Sequence, residues 1–136
     1  MSKVFVYGTL LVPSVMQAVT GQTFESDKAI LHSYARYKVK GHVFPGIIET
    51  ENQSVEGILY KDVDKVILQR LNVFESYIYY RKEVMVSLAN HKHVPAYTYV
   101  IAPEFEDRLT GLAWELEEFT QFHLEKYMER ICKTGL

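Results

Sequence analysis

The chain has 136 residues and a single cysteine, Cys132, so no internal disulfide can form. With no His-Asn arrangement near it in sequence, Cys132 reads as structural or inert. A dense basic run is also missing. Fifteen Lys/Arg against seventeen Asp/Glu give a formal net charge of −2, without the electrostatic footprint of a nucleic-acid binder. DNA and RNA are therefore not expected as partners. No stretch approaches the ~20 apolar residues of a membrane span. The first apolar strand is broken by Gly8 and Pro13 before a signal region can build. The expected setting is the cytoplasm, with no membrane contact. Repeats, low-complexity segments and linker compositions are absent, which predicts one domain over residues 1–136. There is no Gly-x-Ser-x-Gly elbow, phosphate loop or Gly-x-Gly-x-x-Gly. His91 and His93 flank Lys92 in a polar turn without a carboxylate or thiol cluster, so no metal site is expected.

What is present is a core. The composition is 48% hydrophobic with ten Tyr and seven Phe, far from that of a disordered chain. Residues 3–7 have the β-branched and aromatic make-up of a strand and run directly into Gly8. Pro13 suits the first position of a helix whose buried face is Val15, Met16 and Val19, and Gly21 suits its end. Strand, tight turn and helix bring several unpaired N–H groups toward one spot, where an anion or a developing oxyanion can sit. Gly8, Thr9, Leu10, Leu11 and Val12 thus form either a ligand-binding loop or a plain turn.

Further along, residues 29–39 read as a strand, Phe44-Pro45-Gly46-Ile47 as a turn, and Ile47-Ile48 as the start of a short strand. Asn52-Gln53-Ser54 reads as a polar tip. Residues 55–60 resume strand character, with Gly57 marking a bulge or a close backbone approach. Asp62 and Asp64 precede a helical spacing of Val63, Val66, Ile67, Leu71 and Phe74, which should stop near Phe74. Residues 83–88 and 94–101 alternate as strands, with Pro95 marking an edge or a beginning. Residues 115–133 form one amphipathic helix, acidic early and basic late, with Trp114 as its anchor and His123 as an ordinary member. The sum is an α+β fold, a small mixed and mostly antiparallel β-barrel with flanking helices.

Glu75 stands out for its surroundings. It follows a helix whose C-terminal end carries partial negative charge, and Phe74, Tyr77, Tyr79 and Tyr80 lie beside it in sequence. Both conditions push a carboxyl pKa upward, as general acid–base work near neutral pH requires. The plainer alternative is a solvated residue at a helix end, or an ion-pair partner of Arg81.

Several segments taken together resemble the gamma-glutamylcyclotransferase-like proteins, which include gamma-glutamylaminecyclotransferases and plant avirulence-induced proteins. They are Val6-Tyr7-Gly8-Thr9-Leu10, Phe44-Pro45-Gly46-Ile47, Val55-Glu56-Gly57-Ile58-Leu59-Tyr60, Leu71-Asn72-Val73-Phe74-Glu75-Ser76 and Tyr80-Arg81. The helix from Trp114-Glu115-Leu116 looks most like the plant branch, while Ser76 and Asn72 stand where glycine and aspartate are common. The resemblance implies a cofactor-free reaction in which a γ-glutamyl group closes on itself to 5-oxoproline and releases an amine. It implies Glu75 as the acid–base group and substrate contacts from Tyr7, Gly8, Thr9, Leu10, Leu11, Val12 and Tyr80, with Tyr97 a further lining residue. A non-catalytic small-molecule-binding or interaction protein on the same fold is the alternative.

Overall fold

The computed structural model describes residues 1–75 and 77–134, side chains of 132–134 excepted, so the expectations placed on Ser76 and on the Cys132 thiol lie outside the described residues. In chain order the elements are β1 (Ser2–Val6), α1 (Pro13–Thr20), β2 (Ser26–Val39), β3 (Pro45–Val63), α2 (Lys65–Glu75), β4 (Tyr79–Leu88), β5 (His93–Ile101), β6 (Leu109–Ala113), α3 (Leu116–Phe122) and α4 (Leu124–Thr134). Single 3-10 turns cover Thr9–Leu11 and Pro103–Arg108.

Five strands close on themselves in the order β2, β3, β1, β5, β4 and back to β2, with β6 attached to β2 beyond the ring. Every pairing is antiparallel except β1 with β5, and closure leaves the ring without free edges. The fold is therefore the expected α+β mixed barrel with flanking helices. Alternation along the strands supplies the packing. Phe5, Ala29, Leu31, Val55, Val86 and Ala96 fall in one buried cluster. Val4, Val6 and Val63 present the opposite face to α1, α2 and Ile131 of α4. The sequence reading of α1 holds, with Val15, Met16 and Val19 buried and Gly21 capping its end at φ 76°. Asp64 caps α2, its Oδ1 accepting from the Ile67 N–H at 2.9 Å.

Three expectations are corrected. The chain does not turn at Phe44-Pro45-Gly46-Ile47 or at Asn52. It reverses around Gly41 (φ 78°), where the His42 N–H donates to the Val39 oxygen, and then runs as one strand, Pro45–Val63. Pro45 is tolerated because it is the first residue of that strand. The polar residues around Asn52 form an irregularity in the β2–β3 ladder between the pairs His32↔Ser54 and Tyr34↔Glu49. They bend the ribbon without reversing it. The last helix breaks at His123 into α3 and α4. The break lets Phe119 pack on Trp114 at 5.8 Å while its ring stands nearly perpendicular to that of Tyr127 at 5.3 Å. Pro95 does lie near the start of its strand, but β5 is interior to the sheet, between β1 and β4. Among the described residues no helix is long and apolar enough to cross a membrane.

Gly57 is the close approach that its place in a strand predicts. A Cβ on it would stand 2.2 Å from the Val6 backbone oxygen and 2.7 Å from the Phe5 ring. The absence of a side chain there lets β3 lie tightly on β1 and so fixes where β1 delivers the residues that follow it.

Candidate active site

Where β1 ends, Tyr7 points inward and donates its hydroxyl proton to the Tyr99 backbone oxygen at 2.5 Å. The next residues wind into the 3-10 turn, and the carbonyls of Tyr7, Gly8, Thr9 and Leu10 are occupied. Arg36 Nη1 donates to the Tyr7 oxygen at 2.7 Å, and the Tyr60 hydroxyl donates to that of Leu10 at 3.1 Å. The N–H groups of Leu11 and Val12 close back on the oxygens of Gly8 and Thr9 at 2.9 and 3.2 Å. By contrast, the N–H groups of Gly8, Thr9 and Leu10 have no backbone partner among the described residues. Consecutive amides left unpaired beside these four engaged carbonyls give a stretch with net donor character, suited to a negatively charged or polarised oxygen.

Those residues border a cavity of about 20 Å³ whose walls include Tyr7, Gly8, Thr9, Leu10, Phe44, Pro45, Tyr79, Tyr99 and Glu75. That is room for about one water molecule. Glu75 is the last residue of α2, so its side chain sits at the negative end of the helix dipole. The residue is partly exposed, yet its carboxyl is withdrawn from solvent enough that burial pushes the pKa up to about 8.

The tyrosines around the carboxyl explain why nothing offsets that burial. The Glu75 charge reaches Tyr7, Tyr79, Tyr99 and Tyr127, and burial together with this charge raises all four phenols above their ordinary range. Three of them direct their protons elsewhere. Tyr7 donates to the Tyr99 oxygen, Tyr79 to the Pro45 oxygen at 2.5 Å and Tyr99 to Asn72 Oδ1 at 2.5 Å. Among the described residues no hydrogen bond or ion pair reaches the Glu75 carboxyl. A carboxylate accepting from three phenols would be strongly acidic; one walled by phenols whose protons are committed is held near neutrality. The ion pair with Arg81 does not form. The Arg81 guanidinium lies 4.8 Å over the Tyr97 ring and reaches Asn72 Oδ1 at 3.5 Å.

Of the residues singled out in the sequence, Tyr7, Gly8, Thr9, Leu10 and Glu75 come together at this cavity, while Leu11, Val12, Tyr80 and Tyr97 are not among its walls. Leu11 and Val12 pack partly buried against the core. Tyr80 is 41% exposed, because alternation along β4 turns its neighbour Tyr79 inward instead. Tyr97 and Tyr99 share a face of β5, and the one closer to the strand's C-terminal end reaches the cavity. Phe44, Pro45, Tyr79 and Tyr99 were missed as wall residues, and Tyr127 as a neighbour of the Glu75 carboxyl. Tyr79 had a signal in its nearness to Glu75, but choosing it over Tyr80 requires strand parity; parity does not separate Tyr99 from Tyr97, which only the position of β5 along the barrel decides. His93 bonds Ser87 across the β4–β5 turn at 3.2 Å.

Comparison with known proteins gives this geometry a lineage. Residues 4–119 match the family model described as "Gamma-glutamyl cyclotransferase, AIG2-like". Protein AIG2 C of Arabidopsis thaliana is 34% identical over 131 residues, covering 96% of this chain and 79% of that relative. A solution structure from Arabidopsis thaliana superposes with a TM-score of 0.74 at 34% identity, covering 98% of this chain and 81% of that one. A solved gamma-glutamyl cyclotransferase shares the fold at a TM-score of 0.62 and 14% identity, covering 96% and 85%. The span of the family match includes both the Gly8–Leu10 loop and Glu75, and the chain belongs to the gamma-glutamyl cyclotransferase, AIG2-like family.

Proposed function

We propose that this chain is a cyclotransferase that converts a γ-glutamyl amino acid or γ-glutamylamine to 5-oxoproline and releases the amine. The observation that carries the reading is the meeting, in one cavity, of free loop amides from Gly8 to Leu10 and a Glu75 carboxyl with a pKa of about 8. The reaction needs two protons moved from the attacking to the leaving nitrogen and one developing charge held. Glu75 takes a proton from the substrate α-ammonium, and the freed amine attacks the γ-carbonyl carbon. A C–N bond forms, and the original amide C–N bond breaks as the leaving nitrogen receives that proton from Glu75; the second proton, shed as the attacking nitrogen becomes the lactam N–H, passes to Glu75 and on to the released amine. Atoms balance between amide, lactam and amine with no oxidant or co-reactant. The loop amides receive an oxygen of the substrate, and holding nucleophile and electrophile of one molecule in a folded conformer lowers the barrier further.

A γ-glutamyl group is larger than the cavity, so binding displaces a wall. Phe44 is one such wall, half-buried against Val39, Ile78 and Ile101, stacked on His42 at 4.4 Å and tilted on Tyr79 at 6.1 Å. Gly8 cannot give way in the same sense. Its φ is −130°, so no left-handed conformation demands glycine there; the constraint is space, since a Cβ would stand 2.8 Å from Pro45 Cγ and Cδ. Gly8→Val therefore crowds the wall opposite the amides. We expect affinity for 5-oxoproline to fall by about tenfold or more in calorimetry, on the usual cost of overpacking. Unchanged affinity would remove the loop from the binding site.

For an active substrate, kcat/KM should rise with pH toward about 8 as Glu75 ionises in the free enzyme and level off beyond it. A flat profile between pH 6 and 9 would contradict the role of the carboxyl. The reaction itself is tested by incubating the protein with a panel of γ-glutamyl amino acids and γ-glutamylamines and scoring 5-oxoproline by mass spectrometry. Product supports the reading and its best precursor names the leaving group. No product, with 5-oxoproline still raising the melting temperature, would replace it with a binding protein on the same fold.

A further inference from the structure

Around Glu75 the structure leaves one side-chain hydroxyl proton unspent. Tyr7, Tyr79 and Tyr99 each donate to a protein oxygen. The remaining pair, Thr9 Oγ1 and the Tyr127 hydroxyl, face each other at 3.1 Å, and either can be the donor. Whichever donates, the other keeps its proton. The phenol is the stronger acid of the two, which favours donation from Tyr127 to Thr9. Thr9 borders the cavity and is almost wholly buried, so its spare proton has the cavity as its outlet.

Tyr127 is well built for aiming. It arrives from α4, its ring nearly perpendicular to those of Phe74 at 6.5 Å and Phe119 at 5.3 Å. These contacts fix the direction of the hydroxyl independently of any substrate. In the sequence Tyr127 reads as one member of the apolar stripe of the last helix, and packing alone would be satisfied by phenylalanine.

We propose that Tyr127 is a positioning residue that turns the Thr9 hydroxyl into the cavity, making it a side-chain donor to the same substrate oxygen that the Gly8–Leu10 amides bind. The inference rests on the cyclotransferase reading. A hydroxyl that accepts from a phenol is also polarised into a better donor, so the pair acts as a short relay. Because Tyr127 acts through Thr9, the two effects are coupled and do not multiply.

The test compares the parent with Tyr127→Phe, Thr9→Ser, Thr9→Val and the double variant Tyr127→Phe/Thr9→Val, measuring kcat, KM and melting temperature on the best γ-glutamyl substrate. Thr9→Val should lower kcat/KM about 10²-fold, the scale of one lost donor to a developing oxyanion. Thr9→Ser should restore most of it. Tyr127→Phe should cost about tenfold with its melting temperature near the parent's, and the double variant should match Thr9→Val alone. Parental kcat/KM in Tyr127→Phe, or effects that multiply in the double variant, would overturn the inference while leaving the reaction intact. A parent that forms no 5-oxoproline would overturn the functional reading. The same proteins titrated with 5-oxoproline in a calorimeter then decide the coupling, and equal affinity in parent and Tyr127→Phe, or no binding at all, overturns it too.

Discussion

Replacing Glu75 by Gln should lower turnover of the best γ-glutamyl substrate about 10²–10⁴-fold while binding of 5-oxoproline survives, the usual scale for removing a general acid–base group. The amide keeps the shape of the carboxyl and the end of α2, but it cannot carry a proton between the attacking and leaving nitrogens. A variant within about threefold of the parent would remove Glu75 from the mechanism. The same substitution has a second signature in stability. The folded-state pKa of about 8 lies above the ordinary carboxyl value of 4.5. Between those values the folded protein holds a proton that the unfolded chain has released. The stability tied to the neutral carboxyl is therefore full below about 4.5 and is lost as pH rises through about 8. Gln does not titrate. Glu75→Gln should melt above the parent at pH 9, and the gap should close as the pH falls toward 5. Such a pairing of lost activity with gained stability is the mark of a strained functional group.

The largest structural effect is expected at Gly57→Ala. The added Cβ would sit 2.2 Å from the Val6 backbone oxygen, and the Phe5 ring stands 2.7 Å away on the same side. Neither can yield cheaply. Val6 is paired with Ile58 in the β1–β3 ladder, and Phe5 is fully buried in the barrel. Overpacking usually costs 1–3 kcal/mol, and a clash against ladder backbone belongs at or above about 3 kcal/mol. In a chain of this size that lowers the melting temperature by about 10 °C or more. Displacing β1 would also move Tyr7 and the loop behind it, so affinity for 5-oxoproline should fall with stability. A variant melting within about 2 °C of the parent would show that the strands are not locked as described.

The parts of the fold that were legible from sequence are those whose causes are local. Gly8, Pro13 and Gly21 mark out a strand, turn and helix because each acts on its own backbone. The direction of the Glu75 shift was legible, but its cause only in part: of the aromatics beside it in sequence Tyr79 walls the cavity while Tyr77 and Tyr80 are exposed, and Tyr7, Tyr99 and Tyr127 arrive from distant elements. What joined Glu75 to the distant Gly8 loop was family resemblance; nothing in spacing or periodicity placed them together. The illegible parts are set by tertiary pairing. Choosing Tyr79 over Tyr80 depends on which face of β4 turns inward, and a shift of one residue exchanges the faces of a strand; Tyr97 and Tyr99 share a face, and how far β5 runs past the cavity decides between them. Asn52 carries turn chemistry, yet the β2–β3 ladder absorbs it as a bulge. Tyr127 follows the helical stripe faithfully, and only the break at His123 brings its hydroxyl to Thr9.

The claim on which the account turns is that Glu75 sits among phenols that withhold their protons from it, leaving a carboxyl poised near neutrality. It is tested most directly by following the side-chain carboxyl carbon of Glu75 by NMR from pH 3 to 10 in protein labelled with carbon-13 glutamate. The resonance is identified as the one missing from Glu75→Gln. The account predicts a midpoint near 8; a midpoint near the ordinary carboxyl value of 4.5 would contradict it.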